Sequence, residues 1–149
     1  MSLRSRIQDD MKAALRAKES ARLAAIRLLL AAIKQREVDE RIAELDDQAV
    51  LATIEKLVKQ RRDAAAQYEA AGRAELAAAE RFEIEVLSAY LPARLTEAEI
   101  TAEIDAALAA SGASTAADMG RAMAVLKPRL AGKADMGEVS RLLRARLSA

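Results

Sequence analysis

The chain predicts an all-α protein, and three observations carry that prediction. Apolar residues recur at spacings of three and four through most of the length, the period of a helix with one buried face. Hydrophobic residues are 52%, but aromatics only 2%, and much of the apolar fraction is alanine, the best helix former. Charged residues make up 32% and there are two prolines, which suits helices with solvated outer faces. At 149 residues the chain can bury a core without staples, as one domain or two small ones. The expected architecture is an N-terminal four-helix assembly over residues 1–91 with long second and third helices. A linker follows at 92–95, then a small three-helix domain at 96–149.

Leu3, Ile7, Met11 and Leu15 recur every fourth residue and define the face of a first helix ending near Ala17. Ser20 is the expected N-cap of a second, central helix whose buried stripe is Leu23, Ile26, Leu29, Leu30 and Ile33, widened by Leu28. Its charged end, Lys34 to Glu44, continues helically or frays. Asp46 or Asp47 caps a third helix carrying Val50, Leu51, Ile54, Leu57, Val58, Ala65 and Tyr68, which Gly72 stops. Leu76, Ala79, Phe82, Ile84, Val86, Leu87, Tyr90 and Leu91 make a fourth, ended by the constraint Pro92 places on its predecessor.

After Pro92, Thr96-Glu97-Ala98-Glu99 is a capping box opening a fifth helix with Ile100, Ile104 and Leu108, stopped at Gly112. Ser114 or Thr115 caps a sixth with Met119, Met123 and Leu126, and Pro128 is expected just past its end. Asp135-Met136-Gly137-Glu138 has the form of a second capping box before Val139, Leu142, Leu143 and Leu147. Gly137 predicts a frayed first turn or a close packing contact there. The three methionines Met119, Met123 and Met136 suit either core or an adaptable apolar surface.

Composition excludes several chemistries. The chain has no cysteine, which removes disulfides, thiol nucleophiles and thiolate metal sites. It has no histidine either, so the usual general base and the commonest transition-metal ligand are missing. Glu80, Glu83 and Glu85 lack the histidines that a carboxylate-bridged dimetal site in a bundle uses. No glycine-rich phosphate loop occurs. The expectation is therefore no catalytic residue, no metal and no cofactor. The apolar run Leu23 to Ile33 is interrupted by Arg27 and too short for a bilayer, so no membrane association is expected. The first residues lead into Gln8-Asp9-Asp10 with no apolar leader region, and the chain is read as cytoplasmic.

The net charge of +1 makes any argument for a polyanion local. From Asp118 to Ala149 seven bases face three acids, a balance of +4. Lys127, Arg129, Lys133, Arg141 and Arg144 are the candidate phosphate contacts there. The competing reading is a solvated face neutralised by Glu97, Glu99, Glu103 and Asp105 of the preceding helix, since over Thr96–Ala149 seven bases meet seven acids. Lys56, Lys59 and Arg62 form a second basic ridge at helical spacing, with a solvated, internally paired face the favoured reading. Arg61, near the apolar stripe, is expected to pair with an acid of a neighbouring helix. Arg27 is expected to snorkel or to pair with Glu80 or Glu83.

Met119-Gly-x-x-Met123, the Gly132-Lys133-Ala134-Asp135 turn and Val139-Ser140-x-Leu142-Leu143 together resemble the GatB/YqeY family. Resemblance to its stand-alone members covers nearly the whole chain; resemblance to the tail of the B subunit of the tRNA-dependent amidotransferase covers about the last third. For that tail the resemblance implies a mobile helical module against the body of a tRNA. The matching positions are Lys127, Gly132, Lys133 and Ala134, with Val139 and Leu143 as core, and the sequence departs from the pattern at Met136 and Gly137. The family label also implies a carbon–nitrogen ligase with glutamine as amide donor. The chain resembles neither the ATP-dependent activating domain nor the amidase subunit that such a reaction needs. The leading expectation is a non-catalytic accessory protein that binds tRNA or another structured RNA through phosphates, because too few aromatics are present to stack bases. The alternatives are a helical protein-interaction module, with a partner in an inter-domain groove, and a component linked to amidotransferase activity.

Overall fold

Seven α-helices and a single 3-10 turn, with no strand, account for the regular structure of residues 1–148, which are the residues described by this computed structural model. The chain divides into two compact units, Met1–Leu91 and Pro92–Ala149. Each unit has its own apolar core.

In the first unit α1 spans Leu3–Arg16, α2 Ser20–Glu40, α3 Asp47–Ala70 and α4 Ala74–Ser88. Ser2 opens α1, its hydroxyl accepting the Ser5 N–H at 3.1 Å. Asp46 opens α3 by accepting the Ala49 N–H at 2.8 Å, while Asp47 accepts the N–H of Leu3, tying the starts of α3 and α1 together. Ile7, Ile26, Leu29, Ile33, Val50 and Ile54 are fully buried and form the centre of this core. Each such side chain contributes about 2–3 kcal/mol relative to exposure.

Several expectations on these helices need correction. Leu15 is exposed and Ala14 takes its place in the core. A strict four-residue spacing advances about 40° beyond each full turn, so by the fourth member the row has left the buried face. Ser20 is the first residue of α2, not its cap; Glu19 precedes it and makes no side-chain cap bond. Leu28 does not widen the buried stripe but is 47% exposed. The charged stretch stays helical to Glu40, and Arg41, at φ 55°, turns the chain out of the helix with the Ile42 N–H bonded to the Glu37 carbonyl. Phe82 is largely outside the core, and α4 ends at Ser88, before Tyr90 and Leu91.

Polar side chains lock the first unit. Arg61 forms ion pairs with Glu83 and Glu80 of α4, as its position near the apolar stripe anticipates. Arg27 pairs with neither acid and is exposed. Arg36 of α2 donates to the Ala49 carbonyl of α3 at 3.0 Å. Tyr90 donates to Asp10 at 2.6 Å beneath the Arg6 guanidinium, 5.1 Å above its ring. Burial and the Asp10 carboxylate push the Tyr90 phenol well above its ordinary range.

In the second unit α5 spans Glu97–Ser111, the 3-10 turn Ala116–Asp118, α6 Met119–Leu130 and α7 Met136–Ser148. The capping box is formed: Thr96 accepts the Glu99 N–H at 3.2 Å and Glu99 accepts the Thr96 N–H at 3.1 Å. Gly112, at φ 70°, stops α5. Thr115 leads into the 3-10 turn, with its own N–H and that of Ser114 held by Asp118. Pro128 lies inside α6, not beyond it. A proline in the last turn removes one donor but keeps a helical φ, so the helix runs two residues further. Gly137 has no close packing partner: a Cβ there would meet only the Asp135 side chain, at 3.5 Å or beyond. Met119, Met123 and Met136 are half-buried against the core of Ile100, Ile104, Leu126, Leu130, Val139 and Leu143.

Candidate nucleic-acid interface

Lys133 is the best positioned of the candidate cations. Gly132 before it and Ala134 after it are buried, and Lys133 itself is exposed. Its backbone is held on both sides: the N–H donates to the Leu130 carbonyl at 2.9 Å, and the carbonyl accepts the Leu95 N–H at 2.9 Å. Gly132 adopts φ 74°, a left-handed conformation that lets the chain leave α6 and return at once into α7. The result is an ammonium on a fixed turn.

Arg141 and Arg144 are exposed and three residues apart on α7, so they share one outward face, while Val139, Leu143 and Leu147 fill the core on the other. Lys127 is exposed on α6. Among the described residues, none of Lys127, Lys133, Arg141 and Arg144 forms an ion pair.

Arg129 behaves differently. Its Nε lies 2.9 Å from Glu103 Oε2 of α5, an ion pair that joins the two helices. Arg146 is likewise 2.9 Å from Asp105, and Arg121 is 3.0 Å from Asp118. The acidic α5 thus neutralises the cations that face it, one toward α6 and one toward α7. Glu99 is engaged by the cap, and the backbone N–H of Thr96 holds its carboxyl below the usual range. Asp118 is lowered in the same way by the N–H groups of Ser114 and Thr115.

Asp135 Oδ1 sits 3.4 Å from the Gly137 N–H, a long contact at the start of α7. Its carboxylate stands where an anion would approach that helix end. In the first unit Lys56, Lys59 and Arg62 are all exposed along α3. Lys56 also lines an opening of about 460 Å³ between α2 and α3, with Gln35, Asp39, Leu57 and Gln60.

Sequence reasoning missed Glu37, the one buried carboxylate among the described residues. It is 1% exposed, at the charged end of α2. Arg4 Nε and Nη2 donate to its two oxygens at 2.7 and 2.9 Å, and the Leu45 N–H adds a third bond at 2.9 Å. The Arg4 hydrogen bonds hold this carboxyl below its ordinary range. Its position one turn after Ile33 was the available signal.

No helix among the described residues is long and apolar enough to cross a membrane, and no group of three or more acids there is placed to hold a metal ion. The fold and its exposed cations define a small, all-helical, two-unit protein whose candidate site is a charged surface. The chain belongs to the YqeY-like family, whose model, described as Yqey-like protein, matches residues 4–147. Among curated proteins it is similar to the "Altered inheritance of mitochondria protein 41, mitochondrial" of Eremothecium gossypii, 37% identical over 105 residues, covering 68% of this chain and 57% of that one. The protein of the same name from Lachancea thermotolerans is 35% identical over 100 residues, covering 66% and 54%. That from Kluyveromyces lactis is 33% identical over 84 residues, covering 56% and 45%. The chain spans about half the length of these curated relatives.

These matches overturn the cytoplasmic expectation, because the relatives are named as mitochondrial proteins. Organellar targeting segments are amphipathic and arginine-rich, and the missing apolar region says nothing about them.

Proposed function

We propose that this YqeY-like chain is a non-catalytic accessory protein whose C-terminal unit binds the phosphate backbone of tRNA or another structured RNA. The observation that carries this reading is the exposure of Lys133, Arg141 and Arg144 outside the reach of the acidic α5, with Lys133 on a turn held by two backbone bonds. Lys127 extends the contact, and Arg129 contributes only when it leaves Glu103. The resemblance of Met119-Gly-x-x-Met123 and the Gly132–Asp135 turn to the tail of the amidotransferase B subunit would imply the same choice of ligand. Recognition is by charge and shape, since the unit offers no aromatic side chain on which a base could stack.

The test is binding of the full chain to bulk tRNA, followed by fluorescence anisotropy between 50 and 200 mM salt. For three phosphate contacts the log–log slope is expected near −2 to −3. Lys133→Glu with Arg141→Glu should weaken binding at least about tenfold, while Lys59→Glu with Arg62→Glu on α3 leaves it unchanged. Salt-independent binding, no binding, or loss only with the α3 pair overturns the reading.

A further inference from the structure

α2 presents a second apolar surface, opposite its core face. Ala24, Leu28, Ala31, Gln35 and Val38 lie outward at alternating spacings of four and three, and the spacing continues to Ile42 just past the helix end. Leu28 is 47%, Val38 60% and Ile42 43% exposed, three of the six large apolar side chains so exposed among the described residues. Such a 3.5-residue period is the seam of a helix that pairs with another helix, distinct from the core stripe of Ile26, Leu29 and Ile33. Nothing in the first unit covers it.

The charges beside the seam say what would. Arg27 and Lys34 stand seven residues apart on one flank, and Arg41 continues the interval at the helix end. None of the three forms an ion pair among the described residues. On the other flank the opening between α2 and α3 is bordered by Lys56. The acid on that side, Asp39, is already bonded by Gln35 Nε2 at 2.9 Å, and Glu40 is held by Arg36. An antiparallel second copy of the chain is a poor occupant, because that pairing sets Arg27, Lys34 and Arg41 against their own kind.

We infer that the outward face of α2 docks an amphipathic helix of a partner protein, with apolar residues at heptad spacing and acidic residues on the flank that meets Arg27, Lys34 and Arg41. The apolar seam supplies affinity, and the cations choose the partner and its register. This site is independent of the RNA surface proposed for the second unit.

A synthetic 21-residue peptide tests it, with leucine at the two core positions of each heptad and glutamate at the flanking ones. The glutamates keep the peptide from pairing with itself. Anisotropy with the full chain should show binding at least about tenfold tighter than for a scrambled peptide of the same composition or a lysine-flanked version. Leu28→Glu and, separately, Val38→Glu should each cost about tenfold without moving the melting temperature, as both side chains are exposed. Arg27→Glu with Lys34→Glu should reverse the preference toward the lysine-flanked peptide. Equal binding of the scrambled peptide, no binding, or wild-type binding by both seam variants overturns the inference. So does a self-association of the chain that Leu28→Glu abolishes, which would assign the seam to a second copy.

Discussion

Arg4 and Glu37, 33 residues apart, meet in a two-pronged ion pair inside the first unit, with the guanidinium nitrogens 2.7 and 2.9 Å from the carboxylate oxygens. The pair joins the start of α1 to the last turn of α2, and the Leu45 N–H brings in the segment leading to α3. A carboxylate this buried stays charged only because all these donors converge on it.

Glu37→Gln is expected to destabilise the first unit by about 2–4 kcal/mol, since it leaves the Arg4 charge without its counterion. The pH dependence follows from the lowered Glu37 pKa. A depressed folded-state pKa means stabilisation that is present above the unfolded-state value and lost as pH falls through the folded one. Chemical denaturation of the wild type at decreasing pH, from about 6 to 3, should show this loss, and Glu37→Gln should flatten it.

Gly132→Ala should cost about 1–2 kcal/mol, because a Cβ is forced into a left-handed conformation at a buried position with φ 74°. It should also weaken tRNA binding, since the turn that presents Lys133 is built on that glycine. Thermal unfolding and anisotropy on the same variant check both effects.

Lys18→Gly is expected to do the opposite. Lys18 has φ 60° at the turn between α1 and α2, is exposed and makes no side-chain bond among the described residues. Glycine relieves the conformational strain there and should stabilise by up to about 1 kcal/mol, a rise of about 2–4 °C in melting temperature.

Glu103→Gln releases Arg129 from α5. If the RNA surface includes this edge of α6, tRNA affinity rises and the log–log salt slope steepens by about 0.7–0.9. An unchanged slope, with Lys133→Glu still weakening binding, confines the surface to the turn and α7.

Much of the helical framework was legible from local rules, because propensity and capping act within a turn or two. Thr96 and Glu99 cap one another as their spacing demands, Asp46 opens α3, and Gly112 takes the left-handed conformation that ends α5. Boundaries misread were those with two local solutions, as at Ser20, or where a proline was compatible with the last helical turn, as at Pro128. The sequence by itself therefore determined an all-helical chain, the order of its helices and most of its core residues. Only tertiary structure decided where the edge of each buried face runs, so that Leu28 and Leu15 lie outside the core while Glu37 lies within it. It alone decided which acid meets which base: Glu80 and Glu83 go to Arg61 and not Arg27, and Glu103 withdraws Arg129 from the cationic surface. The physical reason is that helix formation is settled between neighbours in sequence, while burial and ion pairing depend on how helices cross, which joins residues tens of positions apart.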